Sequence, residues 1–348
     1  GDVYKRQILF LSFAALIVPM ALVVFSGPDG EPLRWFDGVS VWPTEMIRFA
    51  AAVLSGVLIS ASIQSGERNS RQLEQDYKLP GWDQIKGTPM SLWRTLSPTW
   101  NVIVNDQVDA SLLWKEYRLR TRPRHRILRV MAMSFVYFAF CSCFFWVFGT
   151  PSAPVRGEIA LAFDKIAVLS CVIAYIILTW YVLDATYINA RMISNLARYK
   201  TLWPAGVFDR FKWSKEFAEL TEYLDVRFIS ERTDVVGRAV YYPFLIFLLM
   251  IVARASVFDH WPWGTALIIV MTLNLLLAIA GAYLLRSVAE DARQSAIKCM
   301  EERRKQLLAD DRPALAERMK ELIEEVRQMK RGAFSILSQY PLLSLIHI

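Results

Sequence analysis

The stretch that decides the fold is residues 238–286, RAVYYPFLIFLLMIVARASVFDHWPWGTALIIVMTLNLLLAIAGAYLLR. It contains two long apolar runs, residues 239–257 and 263–285, joined by five residues that are too few to fold separately. About 20 apolar residues at a helical rise of about 1.5 Å cover a hydrocarbon core of about 30 Å. The stretch therefore predicts two transmembrane helices that are antiparallel neighbours.

The composition of the whole chain extends this prediction. Hydrophobic residues make up 54% of the chain and the mean hydropathy is +0.28, above the apolar content of about 45–50% that soluble domains have. The formal charge of +7 comes from basic residues that flank the apolar runs. We attribute it to retention of these segments in the cytosol and expect no nucleic-acid partner. The class predicted is an all-α polytopic membrane protein.

The two ends of the chain, residues 1–7 and 343–348, are related through DNA. The codons GAT GTG TAT AAG AGA CAG encode residues 2–7, and their reverse complement, CTG TCT CTT ATA CAC ATC, encodes residues 343–348. We therefore expect both segments to be translated sequencing-library adapter and the native chain to continue beyond them. Both are left out of the fold prediction, as a fusion scar would be.

Apolar runs predict six membrane-spanning helices in three hairpins, within residues 8–63, 127–183 and 239–285. The individual spans are residues 8–25, 46–63, 127–148, 159–183, 239–257 and 263–285. The segments after spans two, four and six carry eleven, nine and twelve Lys or Arg, whereas the other loops carry few. By the positive-inside rule, both ends of the chain are predicted to be cytosolic.

The predicted cytosolic part consists of an amphipathic segment at residues 64–126, a second segment at 184–238 and a helical pair at 286–332. A membrane-proximal segment at 333–342 follows, which we expect to be cut short. Residues 287–308 are expected to continue span six as one helix, with a break at 310–313. The first two segments hold six of the twelve tryptophans. They are either interfacial helices on an anionic leaflet or segments that pack on each other as a cytosolic layer.

Three polar residues of the last hairpin form a candidate intramembrane site: Arg254, Asp259 and Asn274. A charge at mid-bilayer costs roughly 2.5 to 3.5 kcal/mol on insertion scales, so an arginine inside a span needs a partner. Asp259 is close enough in sequence to pair with Arg254, and a mid-span amide most often hydrogen-bonds across helices. The alternative to these structural roles is a role in substrate or ion binding.

A run of basic residues precedes span three: Lys115, Arg118, Arg120, Arg122, Arg124 and Arg126. It is first a topology signal, because Lys and Arg retain loops in the cytosol. The alternative is a site for anionic lipid headgroups of the cardiolipin type.

Apolar residues in the second helix of the cytosolic pair recur at spacings of 4, 3, 4 and 3: Leu315, Met319, Leu322, Val326 and Met329. This spacing predicts an amphipathic helix with one apolar seam. Two heptads are too few for an independent coiled coil. The seam therefore packs on the protein's own inner face, or residues 311–332 meet a partner helix or a second copy of the chain.

Residues for catalytic or metal chemistry are sparse. His125 and His260 are the only histidines outside the adapter-like ends, and the chain has no phosphate-binding Gly loop and no nucleophile-elbow serine motif. No metal-ligand spacing connects the cysteines, which we interpret as small apolar residues: Cys141, Cys143, Cys171 and Cys299. We expect no cofactor and no metal site, and a non-enzymatic role is favoured.

Four short motifs carry a resemblance to a known group: ERTD at residues 231–234, YYPF at 241–244, ARASVFD at 253–259 and GAFS at 332–335. Over residues 231–342 the chain resembles a family of bacterial inner-membrane proteins of unknown function. The resemblance implies a bacterial source and an inner-membrane location, and no activity. Within the first motif, Thr233 or Asp234 is predicted to cap a helix.

The leading functional hypothesis is a membrane scaffold or signalling component that recruits a partner through its cytosolic helices. It rests on the polar segments, which carry more distinctive residues than the spans. The second hypothesis is a small-solute or ion channel or transporter that uses the hairpin at residues 239–285. A membrane enzyme is the third.

Overall fold

The structure is a computed structural model that describes residues 42–85, 100, 103–104, 107–149, 158–204, 206–207, 220–253 and 264–335. These residues are almost entirely helical, which confirms the predicted all-α class. The predicted first span, residues 8–25, and the loop between the last two predicted spans lie outside the described residues.

The described chain contains nine α-helices, one 3₁₀ turn and three very short strands. The helices are α1 (Trp42–Asp76), α2 (Trp82–Ile85), α3 (Ala110–Arg120), α4 (Pro123–Phe148), α5 (Glu158–Arg198), α6 (Thr221–Ala239), α7 (Tyr242–Val252), α8 (Thr265–Ala309) and α9 (Pro313–Gln328). The strands are β1 (Ile103–Val104), β2 (Gln107–Asp109) and β3 (Lys200–Leu202), and the 3₁₀ turn is Gly332–Phe334.

Five stretches of helix are long and apolar enough to cross a membrane, judged by length and composition. They are Met46–Asp76, Pro123–Phe148, Lys165–Arg198, Thr221–Val252 and Thr265–Ala309. Each overlaps one of the predicted spans two to six. The described residues thus supply five candidate spans, and the sixth prediction falls on residues that they do not include.

The helix that enters the fifth predicted span is interrupted between α6 and α7. The interruption falls at residues 240–241, and Pro243 lies in the first turn of α7. Proline has no N–H to donate, so the first turn of a helix is where it is tolerated. The predicted cap at Thr233 or Asp234 is wrong, because α6 continues through both residues.

Helix α8 covers the last predicted span and the polar stretch after it without a break. It has 45 residues, Thr265–Ala309. The chain then turns at Asp311, whose φ is 53°, in the left-handed region that Asp tolerates better than most residues. Pro313 opens α9. The expected continuation of span six and the break at residues 310–313 are both present.

The chain divides into two compact units. The apolar unit comprises the described parts of residues 1–61, Val130–Tyr181 and Val240–Ile279. The polar unit comprises the described parts of Ser62–Arg129, Val182–Ala239 and residues 280–348. We take as membrane-spanning segments the parts of the five apolar helices that belong to the apolar unit.

The apolar unit is apolar both inside and outside. Its core includes Cys141, Tyr175, Ile246 and Val270, from four different helices. On its outer surface, the side chain of Trp146 is 88% exposed. An exposed apolar surface marks an interaction with another apolar phase, and helices are one of the two structures able to span lipid.

The polar unit has a core of its own, with an aromatic cluster at its centre. The centroid of the Phe228 ring lies 5.1 to 5.8 Å from those of Tyr77, Trp114 and Trp203, and the Tyr77 and Trp203 centroids are 5.2 Å apart. Tyr77 directly follows α1, Trp114 lies in α3, Trp203 directly follows β3, and Phe228 lies in α6. The space that Trp114, Trp203 and Phe228 line together with neighbouring apolar side chains has no room for a water molecule. Trp114 is therefore an interior residue, as the interpretation of a packed layer requires.

A three-stranded sheet joins two distant segments of the polar unit. Strand β2 pairs antiparallel with β1 and parallel with β3, with Val108 opposite Thr201. Asp109 ends β2 and caps α3, accepting a hydrogen bond of 2.7 Å from the N–H of Ser111. Strands of two or three residues are too short to produce an alternating apolar pattern, so the sequence did not predict this sheet.

Candidate functional site: the interior of the polar unit

Helix α6 is the centre of the polar unit. Most of its residues are buried, and they include the polar side chains of Asp225, Arg232 and Thr233. Buried positions of a helix usually carry apolar residues. The buried polar side chains of α6 therefore need partners inside the protein, and the structure supplies them.

Arg232 joins α6 to α1 and α3. Its Nε donates to the hydroxyl of Tyr117 at 2.8 Å, and its Nη1 donates to Oδ1 of Asn69 at 2.7 Å. The guanidinium carbon lies 5.0 Å from the centroid of the Tyr117 ring. Within the described residues no carboxylate accepts from Arg232, so oxygen dipoles and an aromatic face stabilise its charge.

Arg118 is the second buried arginine of the unit and is held by two carboxylates. Its Nη1 and Nη2 each donate to one oxygen of Glu67 at 2.9 Å, and its Nε lies 2.9 Å from Oε1 of Glu74. The hydrogen bonds from Arg118 lower the pKa of the Glu67 carboxyl below its ordinary value. The Trp82 ring lies 5.1 Å from the guanidinium carbon. The pair and the ring fasten α3 to α1.

The basic run, interpreted first as a topology signal and alternatively as a lipid-binding patch, has most of its members paired or buried. Arg118 and Arg120 are interior residues, and Nε of Arg120 donates to Oε1 of Glu116 at 3.0 Å. Arg126 lies 3.3 Å from Asp184, and Arg122 donates to the carbonyl of Ile85 at 3.0 Å. Lys115 is half-buried, and Arg124 is exposed. Most of the run is therefore used inside the protein.

Asp225 is a buried carboxyl that the sequence did not point to. Its Oδ2 accepts from the hydroxyl of Thr201 at 3.0 Å and its Oδ1 from the indole N–H of Trp203 at 2.9 Å. Burial raises the pKa of Asp225 well above its ordinary value, because these neutral donors do not offset the loss of water. Both partners lie more than 20 positions away, so no local motif shows the group.

The ERTD and GAFS motifs, about 100 residues apart, meet in the polar unit. The N–H of Ala333 donates to the hydroxyl of Thr233 at 2.8 Å, and the hydroxyl of Ser230 donates to the carbonyl of Arg331 at 3.2 Å. Gly332 has a φ of +65°, and a Cβ there would lie 2.3 Å from the carbonyl oxygen of Ser230. Only glycine fits so close to α6 in this conformation.

The GAFS turn also contacts α8, on the side opposite α6. The guanidinium carbon of Arg293, on α8, lies 5.1 Å from the Phe334 ring centroid, and its Nη1 donates to the carbonyl of Met329 at 3.2 Å. Nη2 of Arg293 lies 2.6 Å from Glu290. The turn is thus held between α6 and α8.

The apolar seam of α9 packs into the core of its own polar unit. Met319, Leu322 and Val326 belong to the buried core, and Leu315 and Met329 pack against it. This is the first of the two arrangements that the spacing allowed. A partner helix could reach the same seam only by displacing α9 from the unit.

The candidate intramembrane site is described only in part. Arg254 and Asp259 lie outside the described residues. Asn274 is fully buried in the apolar unit, and its Nδ2 donates to the carbonyl of Val270, one turn earlier, at 2.9 Å. Its Oδ1 has no hydrogen-bond donor among the described residues.

Among the described residues, no cluster of three or more His, Cys, Asp or Glu has the arrangement of a metal site. Fold and site together define a helical protein with apolar helices suited to a membrane and a separately packed polar unit. Comparison with protein-family models, with curated proteins and with solved structures finds no match to this chain.

Proposed function

We propose that this protein is integral to a bacterial inner membrane and that its polar unit recruits a protein partner in the cytosol, as a scaffold or signalling component. The observation that carries the proposal is that buried charged side chains of the polar unit are bonded to other residues of that unit. Its buried arginines are bonded to residues of the same unit, as Arg118 is to Glu67 and Arg232 to Tyr117. A unit built in this way offers a fixed surface rather than a reaction centre.

The proposed topology has six spans, with residues 8–25 as the first and both ends in the cytosol. Five apolar helices support it, as does the concentration of Lys and Arg in the segments that build the polar unit. Such segments are retained on the cytosolic side of a bacterial inner membrane.

The outward face of α9 is the surface we propose for recruitment. Its inner face is committed to the core, and its outward residues carry charges of both signs: Glu317, Arg318, Lys320, Glu321, Glu324 and Arg327. Neighbours on this face pair with each other, as Lys320 does with Glu317 at 2.8 Å. Exposed pairs of this kind add little to stability, whereas complementary charges fix the choice and orientation of a partner.

Photo-crosslinking in the native host tests this proposal. A photoreactive amino acid is placed at Glu321 or Glu324 on the outward face of α9, and at Phe135 on the exposed apolar surface as the control. We expect one discrete crosslinked protein from both α9 positions and none of the same mass from position 135. The double substitution Glu321→Lys with Glu324→Lys, tested with the photoreactive residue at Glu317, should abolish that product.

Absence of an α9-specific product would contradict the proposal, as would a product that survives the charge reversal. Deletion of α9 is not a suitable test. It would remove Met319, Leu322 and Val326 from the core and so would report on folding.

A channel or transporter for a small solute or ion is the second candidate. One observation favours it: the buried Oδ1 of Asn274, which has no donor among the described residues although an unpaired polar atom in lipid is costly. If this candidate is right, Asn274→Leu should lower the flux of the transported solute or ion into proteoliposomes while the protein remains folded. Unchanged flux would exclude a role for Asn274 in transport.

A further inference from the structure

One cavity of the apolar unit is lined by three sulfur-containing side chains from three different helices. It has a volume of about 20 Å³ and is bounded by Cys171 on α5, Met250 on α7 and Met271 on α8. All three side chains are at most 6% exposed. The remaining lining is made by Val168, Val172, Leu267 and Arg48.

The concentration of sulfur at this place is unusual for the chain. There are 11 Met and 4 Cys among 348 residues, so a lining of seven residues would be expected to contain one at most. A methionine used only as a filler closes a gap, because its flexible side chain adapts to irregular space. Here three sulfur-containing residues line a space that stays open.

We propose that this cavity binds a soft monovalent metal ion, Cu(I) or its analogue Ag(I), through the thiolate of Cys171 and the thioethers of Met250 and Met271. Thiolate and thioether ligands select Cu(I) over the harder divalent metals. The volume suffices for a single small occupant, since about 10 to 15 Å³ is enough for a water molecule. On binding, the S–H bond of Cys171 breaks, a sulfur–metal bond forms, and the proton leaves to solvent.

The charge of the lining also favours a monovalent ion. A thiolate and Cu(I) together are neutral, so binding of Cu(I) adds no net charge to the cavity. A divalent ion would add a further positive charge beside that guanidinium in a medium of low dielectric constant. The sequence pattern did not indicate this site, because Cys171, Met250 and Met271 are far apart in the chain and only the packing of α5, α7 and α8 brings them to one cavity.

Competition for Cu(I) tests the site on the full-length protein in detergent micelles under reducing conditions. The probe is the coloured complex of Cu(I) with bicinchoninate, which loses colour when the protein takes the metal. We expect the unaltered protein to withdraw one Cu(I) per chain. Cys171→Ser and Met271→Leu should each weaken binding by at least the roughly 10- to 100-fold that loss of a supporting group at a metal site costs.

Matched controls separate this cavity from the other sulfur atoms. Cys141→Ser makes the same change at a buried cysteine of the same core that does not line the cavity, and Met133→Leu does so at an exposed methionine. Both should bind as the unaltered protein does. Met→Leu conserves volume, so Met271→Leu should remain folded.

Two results would overturn the inference. One is failure of the unaltered, folded protein to withdraw Cu(I) from bicinchoninate. The other is equal affinity for Cu(I) in the unaltered protein, Cys171→Ser and Met271→Leu, which would place any binding at sulfur atoms outside the cavity.

Discussion

The hydroxyl oxygen of Thr233 accepts a hydrogen bond of 2.8 Å from the backbone N–H of Ala333, 100 positions later in the chain. The same hydroxyl donates to the carbonyl of Ile229 at 2.7 Å. One threonine therefore satisfies the polar group of a distant turn without disturbing its own helix. The ERTD and GAFS motifs are two halves of one contact, and that contact fixes the end of the described chain against α6.

Removing the acceptor of this contact should destabilise the polar unit. Thr233→Val keeps the shape of the side chain but leaves the buried N–H of Ala333 without its acceptor, which costs about 1 to 3 kcal/mol. Thr233→Ser keeps the hydroxyl and should lose less. Denaturant titration of the purified protein, followed by tryptophan fluorescence, measures both variants. If Thr233→Val loses no stability and the loss is confined to Thr233→Ser, packing of the methyl group, and not the hydrogen bond, is what matters.

Gly332→Ala should destabilise the protein more strongly than a typical surface change. The added Cβ would meet the carbonyl oxygen of Ser230, and the residue would remain at a φ of +65°. Strained backbone of this kind alone costs on the order of 1 to 3 kcal/mol. Gly66→Ala is the control, because nothing lies within 4 Å of its Cβ position. In a helix that change is expected to stabilise by up to about 1 kcal/mol, so the melting temperatures should move in opposite directions.

Arg118 and Arg318 should respond differently to the same substitution. Arg118 has a side chain only 6% exposed and lies between Glu67 and Glu74. Arg118→Gln leaves the carboxylate of Glu74, whose side chain is 9% exposed, without this cation, and the loss of a cation from a buried pair costs up to about 3 to 5 kcal/mol; Glu67, at 37% exposed, is screened by water and adds less. Arg318 is exposed, and loss of its pair with Glu321 should change stability by less than about 1 kcal/mol. Similar melting temperatures for the two variants would contradict the buried position of Arg118 and favour an exposed one, as in a surface patch.

The raised pKa of the buried Asp225 carboxyl predicts that the stability of the protein depends on pH. The folded pKa of this carboxyl is raised by burial, so the stability it contributes is complete below its unfolded pKa of about 3.9 and is lost as the pH rises toward the folded value. Asp225→Asn cannot ionise, and its amide can still bond to Thr201 and Trp203. The variant should gain stability over the unaltered protein as the pH rises from the unfolded pKa toward the folded pKa, by up to about 1 kcal/mol per pH unit. A difference that stays constant across that range would show that Asp225 does not titrate there.

The sequence predicted the parts of the fold that depend on local periodicity. Apolar runs gave the helices, and the 4-3-4-3 spacing gave the stripe of Met319, Leu322 and Val326. The same spacing left open what covers the stripe, because it describes one face of a helix and nothing about its neighbour. The structure places that face against the core of the polar unit.

The interior of the polar unit could not be predicted in the same way. A run of alternating arginines has the same pattern whether its members reach solvent or, like Arg118, a buried carboxylate. The partners of Asp225 and Thr233 lie 22 to 100 positions away, so only the tertiary fold shows these groups. The GAFS motif drew attention to Gly332 but not to its role, since the need for glycine comes from the backbone of α6.

Cysteine accessibility tests the central proposal, a polar unit in the cytosol, most directly. Glu324→Cys, in a background with Cys143 and Cys299 changed to serine, is treated with a membrane-impermeant maleimide in spheroplasts; Ser152→Cys, in the predicted outer loop between spans three and four, is the control. We expect Cys at position 324 to be labelled only after the inner membrane is permeabilised, and Cys at position 152 to be labelled before. Labelling of position 324 in intact spheroplasts would place α9 outside the cytosol and contradict the account.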